Sequence, residues 1–360
     1  MYISSLNLTD FRNYENEKIL FSPFTNVIYG NNAQGKTNVL EALYLFSQGR
    51  SHRAKTDKEL IRFGCDRARL EITFHDNDRD YKALMQLERN GRKSITINHV
   101  KLTKLSMLMN YLNIVMFSPE DLSLIKGSPS QRRRFIDSAI SQLYPAYLLN
   151  LTDYHKALMQ KNSLLKDMPK IQDRTMLSVW NEQLATTGVK IMKARIEFIE
   201  LLEGFAKKIQ KEISGEDLKL SYVSGIRCKE VTEQSYFEYL EENAKKEIDF
   251  SSALYGIQRD DIYVMIDGKS ARTYASQGQQ RTATLTLKMA LSDYIHHIKD
   301  EYPVLLLDDI MSELDISRRT YLSQKVRDKQ VFITSTDADL SKSTDKTKLL
   351  RVNNGEIFEE

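Results

Sequence analysis

Apolar and polar positions change rhythm twice along this chain. Through the first hundred-odd residues apolar positions alternate or form short runs, which predicts strands. Val27-Ile28-Tyr29 is such a run, and it stops at Gly30 as a buried strand entering a turn would. Three alternating segments between Ala68 and Asn98 are divided by Asp76-Asn77-Asp78 and by Asn90-Gly91. Asn-Gly is a type I′ hairpin signal, so this part predicts an antiparallel β-meander.

From Ser130 to about Lys166 the rhythm becomes helical. Ile136, Ile140, Leu143, Tyr147, Leu151, Tyr154 and Leu158 fall at steps of three and four. Pro145 predicts either a kink or two consecutive helices there. Asp167-Met168-Pro169-Lys170 breaks the pattern, which resumes with Leu177, Trp180, Leu184, Ile191, Phe198, Leu202, Phe205 and Ile209. Two helices of roughly 50 Å each, joined by a short turn, make an antiparallel hairpin. A packed helical subdomain fits this better than an extended coiled coil, because the heptad run is short. After Asp217 strand character returns with Tyr263-Val264-Met265-Ile266. A helix from about Gln280 to Ile298 follows, then buried strands at Pro303–Leu307 and Val331–Thr334. The expected architecture is an α/β domain made from both chain ends, residues 1–118 and 250–360. A mainly helical lobe, 119–249, is inserted into it.

Composition narrows the class. With 360 residues and 41% hydrophobic content the chain can fill two domain cores, and 28% charged residues solvate its surface. No apolar run reaches the roughly 18 residues of a membrane span, and Met1–Ser5 lacks signal-peptide character. Cys65 and Cys228 form neither a metal spacing nor a disulfide framework, so a reducing cytoplasm is expected. A net charge of +3 matters for nucleic acid only if the cations cluster on one face.

Gly30-Asn31-Asn32-Ala33-Gln34-Gly35-Lys36-Thr37 matches G-x-x-x-x-G-K-[ST] between a β-run and a helical pattern (Val39, Leu40, Leu43, Phe46). In such a P-loop the backbone N–H groups face phosphate oxygens at a helix N-terminus. Lys36 reaches the β- and γ-phosphates, and the Thr37 hydroxyl ligates Mg²⁺. Val304–Leu307 ends in Asp308-Asp309, so Asp308 is the candidate metal acid and Asp309 the candidate general base. Paired acids after a strand are equally able to cap a helix. Ala275-Ser276-Gln277-Gly278-Gln279 resembles the ABC signature L-S-G-G-Q, with Ser276 as a further candidate catalytic residue. Alone, such a Ser-Gln-Gly stretch is more often just a turn. Ser312-Glu313-Leu314-Asp315 resembles a D-loop. Four motifs in this order indicate an ABC-type ATPase head. Thr334-Ser335-Thr336 replaces the usual switch histidine, and Ser118-Pro119-Glu120-Asp121 stands where a glutamine loop would be. Both departures argue against a transporter subunit.

Phe11-Arg12-Asn13-Tyr14, Gly30–Asn38, Phe117–Leu122, Arg132-Arg133-Arg134-Phe135-Ile136-Asp137, Ser276–Thr282 and Leu306–Asp315 together resemble the RecF family, over essentially the whole chain. One departure is Gly256-Ile257-Gln258-Arg259-Asp260-Asp261, where the family usually has G-P-H-R-D-D. The resemblance implies an SMC-like head that binds ATP and Mg²⁺, dimerises head to head on ATP, and clamps duplex DNA or a single-/double-strand junction. With RecO and RecR it would help place RecA on gapped DNA; no membrane partner is implied. It also puts Arg12 and Asn32 near nucleotide, and Gly30–Asn38, Ser276, Gly278 and Gln279 complete the candidate nucleotide-binding set. Arg50, His52, Arg53, Lys55, Lys58 and Arg62 form the candidate DNA patch, with a solvated loop the equal alternative. Another ABC-type motor or a transport-coupled ATPase subunit is the rival reading.

Overall fold

Fifteen strands and eleven α-helices lie among the residues that the computed structural model describes, 1–167, 174–228, 230–337 and 346–359. They divide into two compact units, Met1–Asp121 with Leu285–Glu360, and Leu122–Thr284.

In the first unit the period-two segments form β1 (Tyr2–Phe11), β2 (Tyr14–Leu20), β4 (Arg67–His75), β5 (Asp80–Glu88), β6 (Ser94–Ile97) and β7 (Val100–Lys101). They pair antiparallel in the order β2-β1-β4-β5-β6-β7. The expected meander is therefore present, but its type I′ turn is not at Asn90-Gly91, neither of which has positive φ. Asn98 (φ 46°) and His99 (φ 67°) take that conformation instead, closing the Ile97–Val100 pair. Asparagine tolerates the left-handed region well enough to start such a turn without glycine.

A second sheet contains β3 (Thr25–Tyr29), β8 (Ile114–Phe117), β12 (Val304–Leu307), β13 (Val331–Ser335), β14 (Thr347–Asn353) and β15 (Glu356–Glu359). Its order is β15-β14-β3-β13-β12-β8, parallel except for the β15 edge. Every residue of β8, β12 and β13 is buried, as parallel strands covered on both faces must be. Helix α1 (Lys36–Gln48) shares one core with both sheets: Leu40, Leu43 and Phe46 lie in a cluster with Ile3, Leu8, Phe74, Ile28, Leu306 and Phe332. That explains why α1 is apolar around most of its circumference. It ends at Gly49 (φ 67°), whose N–H returns to the Leu45 carbonyl. The short α10 (Ile310–Glu313) and α11 (Ile316–Lys325) follow β12.

The second unit holds α2 (Ser123–Lys126), α3 (Pro129–Leu143), α4 (Pro145–Asp167), α5 (Thr175–Ser214), α6 (Glu233–Glu242), α7 (Ala244–Asp249) and α8 (Ala271–Tyr274). It also holds the antiparallel sheet β11-β10-β9, from β9 (Leu218–Val223), β10 (Asp261–Ile266) and β11 (Lys269–Ser270). Pro145 starts a new helix rather than kinking one, since it sits where its missing N–H costs nothing. Met168, Pro169 and Lys170 of the expected break lie outside the described residues. Helices α4 and α5 pack against each other, and α6 crosses α5 so closely at Gly188 that a Cβ there would meet the Tyr236 ring at 2.8 Å.

Residues 250–284 fall with this unit rather than with the ends of the chain, and charge explains it. Arg195 of α5 bonds Asp137 of α3 (2.8 Å), Asp260 (2.6 Å) and the Ile257 carbonyl (2.9 Å). Tyr222 and the Gly225 N–H also donate to Asp260, and Arg132 grips Asp261 with two bonds of 2.6 and 2.9 Å. Helix α9 (Gln277–Lys299) continues across the boundary between the units. Among the described residues no helix is long and apolar enough to cross a membrane.

Candidate nucleotide site

Strand β3 ends at Tyr29, and the chain then turns through Gly30 (φ 146°) and Gly35 (φ 118°) into α1. Both glycines are required by space as well as conformation. A Cβ on Gly30 would lie 2.3 Å from the Val352 carbonyl oxygen, and one on Gly35 would lie 2.6 Å from the Asn13 side chain. The β1–β2 turn braces this loop from outside. Tyr14 Oη donates to the Gly35 carbonyl (3.0 Å), Asn13 Nδ2 to the Gln34 carbonyl (2.7 Å), and Asn38 Nδ2 to Asn13 Oδ1 (2.8 Å).

Lys36 is 6% exposed, and its ammonium donates to the carbonyls of Gly30 (2.7 Å) and Asn31 (2.9 Å). Burial lowers its pKa, while the charges of Asp309 and Asp308 oppose that shift. Thr37 Oγ1 donates to Asp308 Oδ1 (2.9 Å), which also accepts from Thr334 Oγ1 (2.8 Å). The Thr334 hydroxyl in turn accepts from the Asp309 N–H (2.9 Å). Thr334 thus joins the two acids from β13, near the place of the usual switch histidine. Asp309 adopts φ 53°, in the left-handed region, and its side chain makes no cap bond to the helix that follows. A cavity of about 290 Å³ is lined by Asn32, Ala33, Gly35, Lys36, Thr37, Asn38, Arg53 and Asp309. Lysine, hydroxyl and acid therefore meet at one opening suited to a phosphate chain and an oxygen-ligated cation. Among the described residues no three His, Cys, Asp or Glu side chains cluster as a metal cage.

Arg12 is near this cavity but is not free. Its guanidinium makes two 2.8 Å bonds to Glu41, a third of 2.8 Å to the Glu59 carbonyl, and lines an adjoining cavity of about 640 Å³ with Arg53, Lys58, Phe63 and Arg89. Ser276 and Gln279 cap α9 reciprocally: Ser276 N–H donates to Gln279 Oε1 (2.8 Å), and Gln279 N–H to Ser276 Oγ (3.2 Å). Gln279 Nε2 also bonds Glu216 (2.8 Å), while Gly278 lies in the first turn. Asp121 of the altered glutamine-loop segment pairs with Lys288 (2.8 Å) and accepts from Ser118 N–H (2.7 Å).

The basic loop splits in two. Arg50, Arg53, Lys55 and Lys58 are exposed. His52 instead packs edge-on against Tyr44 at 5.3 Å, and burial lowers its pKa against the pull of Glu41 and Asp308. Arg62 is engaged by Glu15 (2.9 Å) and Asp10 (3.8 Å). Sequence reasoning names Asn13, Tyr14 and Thr334 as motif positions without a role and omits Glu41, because their partners lie far away in the chain. Glu41 alone carried a signal, as an acid on the otherwise apolar face of α1.

Residues 2–357 match the model of the RecF/RecN/SMC N terminal domain family. The chain is 43% identical over 361 residues to the DNA replication and repair protein RecF of Clostridium perfringens (strain SM101), covering 99% of each. It is 40% identical to that of Ligilactobacillus salivarius, covering 100% of this chain and 98% of the relative. A solved structure of the recombination mediator protein RecF-ATPrS in the RecFOR pathway superposes with a TM-score of 0.94 at 34% identity, covering 99% of this chain and 98% of the other. An Smc head bound to the C-winged helix domain of ScpA has a TM-score of 0.60 at 18% identity over 100% of this chain and 98% of the other, a likeness of fold alone. With the phosphate-loop geometry and the whole-length match in agreement, the chain belongs to the RecF/RecN/SMC family and, within it, to the RecF DNA replication and repair proteins.

Proposed function

We propose that the chain is an ATP-gated DNA-binding switch of recombinational repair, operating in the cytoplasm as a head-to-head homodimer. One observation carries the reading: Lys36, Thr37 and Asp309 share a cavity with Arg53, which also lines the adjoining basic cavity. A solved relative described as the recombination mediator protein RecF-ATP in the RecFOR pathway supports ATP as the ligand and a mediator role, and RecO and RecR are the proposed partners in placing RecA.

In this reading the N–H groups of Gly30–Thr37 cradle the phosphates, and Lys36 exchanges its two carbonyl partners for phosphate oxygens. Thr37 and Asp308 hold Mg²⁺, which supplies charge neutralisation when bound. Asp309 orients the attacking water for a slow hydrolysis that serves as release. Ser276 and Gly278 act on nucleotide held by the opposite copy, an isologous arrangement that buries two nucleotides in one interface. Arg50, Arg53, Lys55 and Lys58 contact DNA phosphates without reading sequence. A motor or transport-coupled ATPase leaves the signature loop or the missing switch histidine without explanation.

The test is a salt titration of DNA binding with and without ATP. Affinity should require ATP and fall with a log–log slope near 0.9 per phosphate contact. Binding indifferent to both ATP and salt removes DNA from the reading. Action in trans is tested by mixing Ser276→Arg with Lys36→Ala, because one mixed site keeps wild-type Lys36 facing wild-type Ser276. ATPase recovery above either variant alone is expected. If Ser276→Arg abolishes ATP binding by the monomer, the loop serves its own chain and the dimer model fails.

A further inference from the structure

Glu41 is fully buried and lies one helical turn beyond Thr37 on α1, yet its partners all lie outside that helix. Arg12 Nε and Nη2 donate to it, each at 2.8 Å, and the Ser51 hydroxyl donates to Oε1 as well. Burial by itself would raise this carboxyl, but the bonds from Arg12 and Ser51 and the Arg12 charge hold it below the ordinary glutamate value. A bidentate pair with a buried carboxylate fixes geometry as well as charge.

Both ends of the basic loop hang from this pair. At the near end Ser51 Oγ accepts from the N–H groups of Arg53 (2.9 Å) and Ala54 (2.8 Å). At the far end Arg12 Nη1 holds the Glu59 carbonyl and the Arg12 N–H holds that of Leu60, both at 2.8 Å. Lys93 adds a separate tether at Asp57 (2.9 Å). Between these points Arg53 and Lys58 project outward. The other side of the Arg12 turn is the brace of the phosphate loop, through Asn13 and Tyr14. Arg12 itself stands at φ 55°, a costly conformation for arginine that its contacts must maintain.

We propose that the Arg12–Glu41 pair couples occupancy of the nucleotide cavity to the position of loop 51–60, with Glu41 a positioning residue that touches neither ligand. Movement of the P-loop on binding phosphate shifts Asn13, hence Arg12, hence both anchors of the loop. Only the consequence for DNA rests on the proposed function; the coupling itself is a property of the first unit.

Hydrogen–deuterium exchange of the full chain, with and without ATP and Mg²⁺, tests it. In the wild type ATP should slow exchange across residues 53–58 by about tenfold. In Glu41→Gln ATP affinity should stay within about threefold, while the slowing falls below about twofold. Should Glu41→Gln not fold, Ser51→Ala carries the test, read at residues 55–58, because it detaches one anchor and leaves the ion pair intact. Equal protection in wild type and variant, or a wild-type loop that ignores bound ATP, overturns the coupling. ATP-responsive loop protection lost in Glu41→Gln, together with DNA affinity that ignores ATP, supports the coupling and overturns the DNA-switch reading instead. The two therefore fail separately.

Discussion

The nucleotide cavity of the first unit and the Arg195 network of the second both gather opposite charges, yet they treat them differently. Arg195 is 2% exposed and bonds Asp137, Asp260, the Tyr147 oxygen and the Ile257 carbonyl. Burial opposes its charge, but Asp137, Tyr147 and Asp260 overcome that and hold the guanidinium protonated. Lys36 is almost as buried, but its bonds are to neutral carbonyls, and Asp309 faces the same cavity without sitting on it. The network is closed on itself and the cavity keeps charge facing an opening. Closed charge specifies shape; open charge recruits a ligand.

The strongest way to break this comparison is Arg195→Ala. It would remove the cationic partner of buried Asp260 and half-buried Asp137, an expected loss of about 3–5 kcal/mol in urea or thermal unfolding. ATP affinity of the protein that remains folded should change by less than about threefold, since Lys36 shares no partner with Arg195. A loss below about 1 kcal/mol would mean that the network is no structural keystone.

Lys36→Ala should do the reverse. ATP affinity is expected to fall about 100-fold, near 2.7 kcal/mol, with only about 1 kcal/mol lost in stability from the two carbonyl bonds. Calorimetric titration and a melt on the same sample decide it. Unchanged affinity would sink the phosphate assignment; a collapsed melting temperature would make Lys36 part of the frame.

Smaller effects should separate the two acids. Asp308 is engaged by Thr37 and Thr334, so Asp308→Asn should weaken Mg²⁺-dependent ATP binding about tenfold. The Asp309 carboxylate lines the cavity, so Asp309→Asn should bind ATP normally and turn over about tenfold or more slowly. Identical defects in both variants would show that the roles are wrongly divided.

The same contrast governs what could be read from sequence. The phosphate loop is eight consecutive residues between a buried strand and an apolar helix, and its acid terminates a strand that is itself a local pattern. Thr37 and Asp308 are 271 positions apart, yet each declares itself within its own segment. Arg12 and Glu41 are 29 apart and Arg195 and Asp260 65 apart, with nothing in either segment naming the other. Sequence pattern alone puts residues 250–284 with the chain ends, because strand rhythm says nothing about which helices a strand will meet. His52 looked like a surface cation because a basic loop has no periodicity from which burial can be read.

Gln258 offers the finest test, because here the chain departs from the histidine usual in its family while keeping the surrounding Arg259-Asp260-Asp261. Its Oε1 accepts from Tyr154 Oη at 2.6 Å, and its Nε2 donates to the Tyr255 carbonyl at 2.6 Å. Tyr154 is fully buried and shares a 3.1 Å bond with Tyr236, whose oxygen accepts from the Ile257 N–H at 3.3 Å. The side chain at 258 must therefore accept in one direction and donate in the other. A carboxamide does this with its oxygen and nitrogen, and a neutral imidazole does it with its two nitrogens. Gln258→His is accordingly expected to cost less than about 1 kcal/mol, since both bonds can be rebuilt. Gln258→Leu leaves the Tyr154 hydroxyl and the Tyr255 carbonyl without these partners and should cost about 1–3 kcal/mol. ATP affinity should move in neither variant, because position 258 belongs to the closed kind of polar cluster. If histidine proves as damaging as leucine, exchange of donor and acceptor is not what position 258 supplies. If either variant alters ATP affinity while the fold stays intact, the division between closed and open charge fails at the residue where it is most finely drawn.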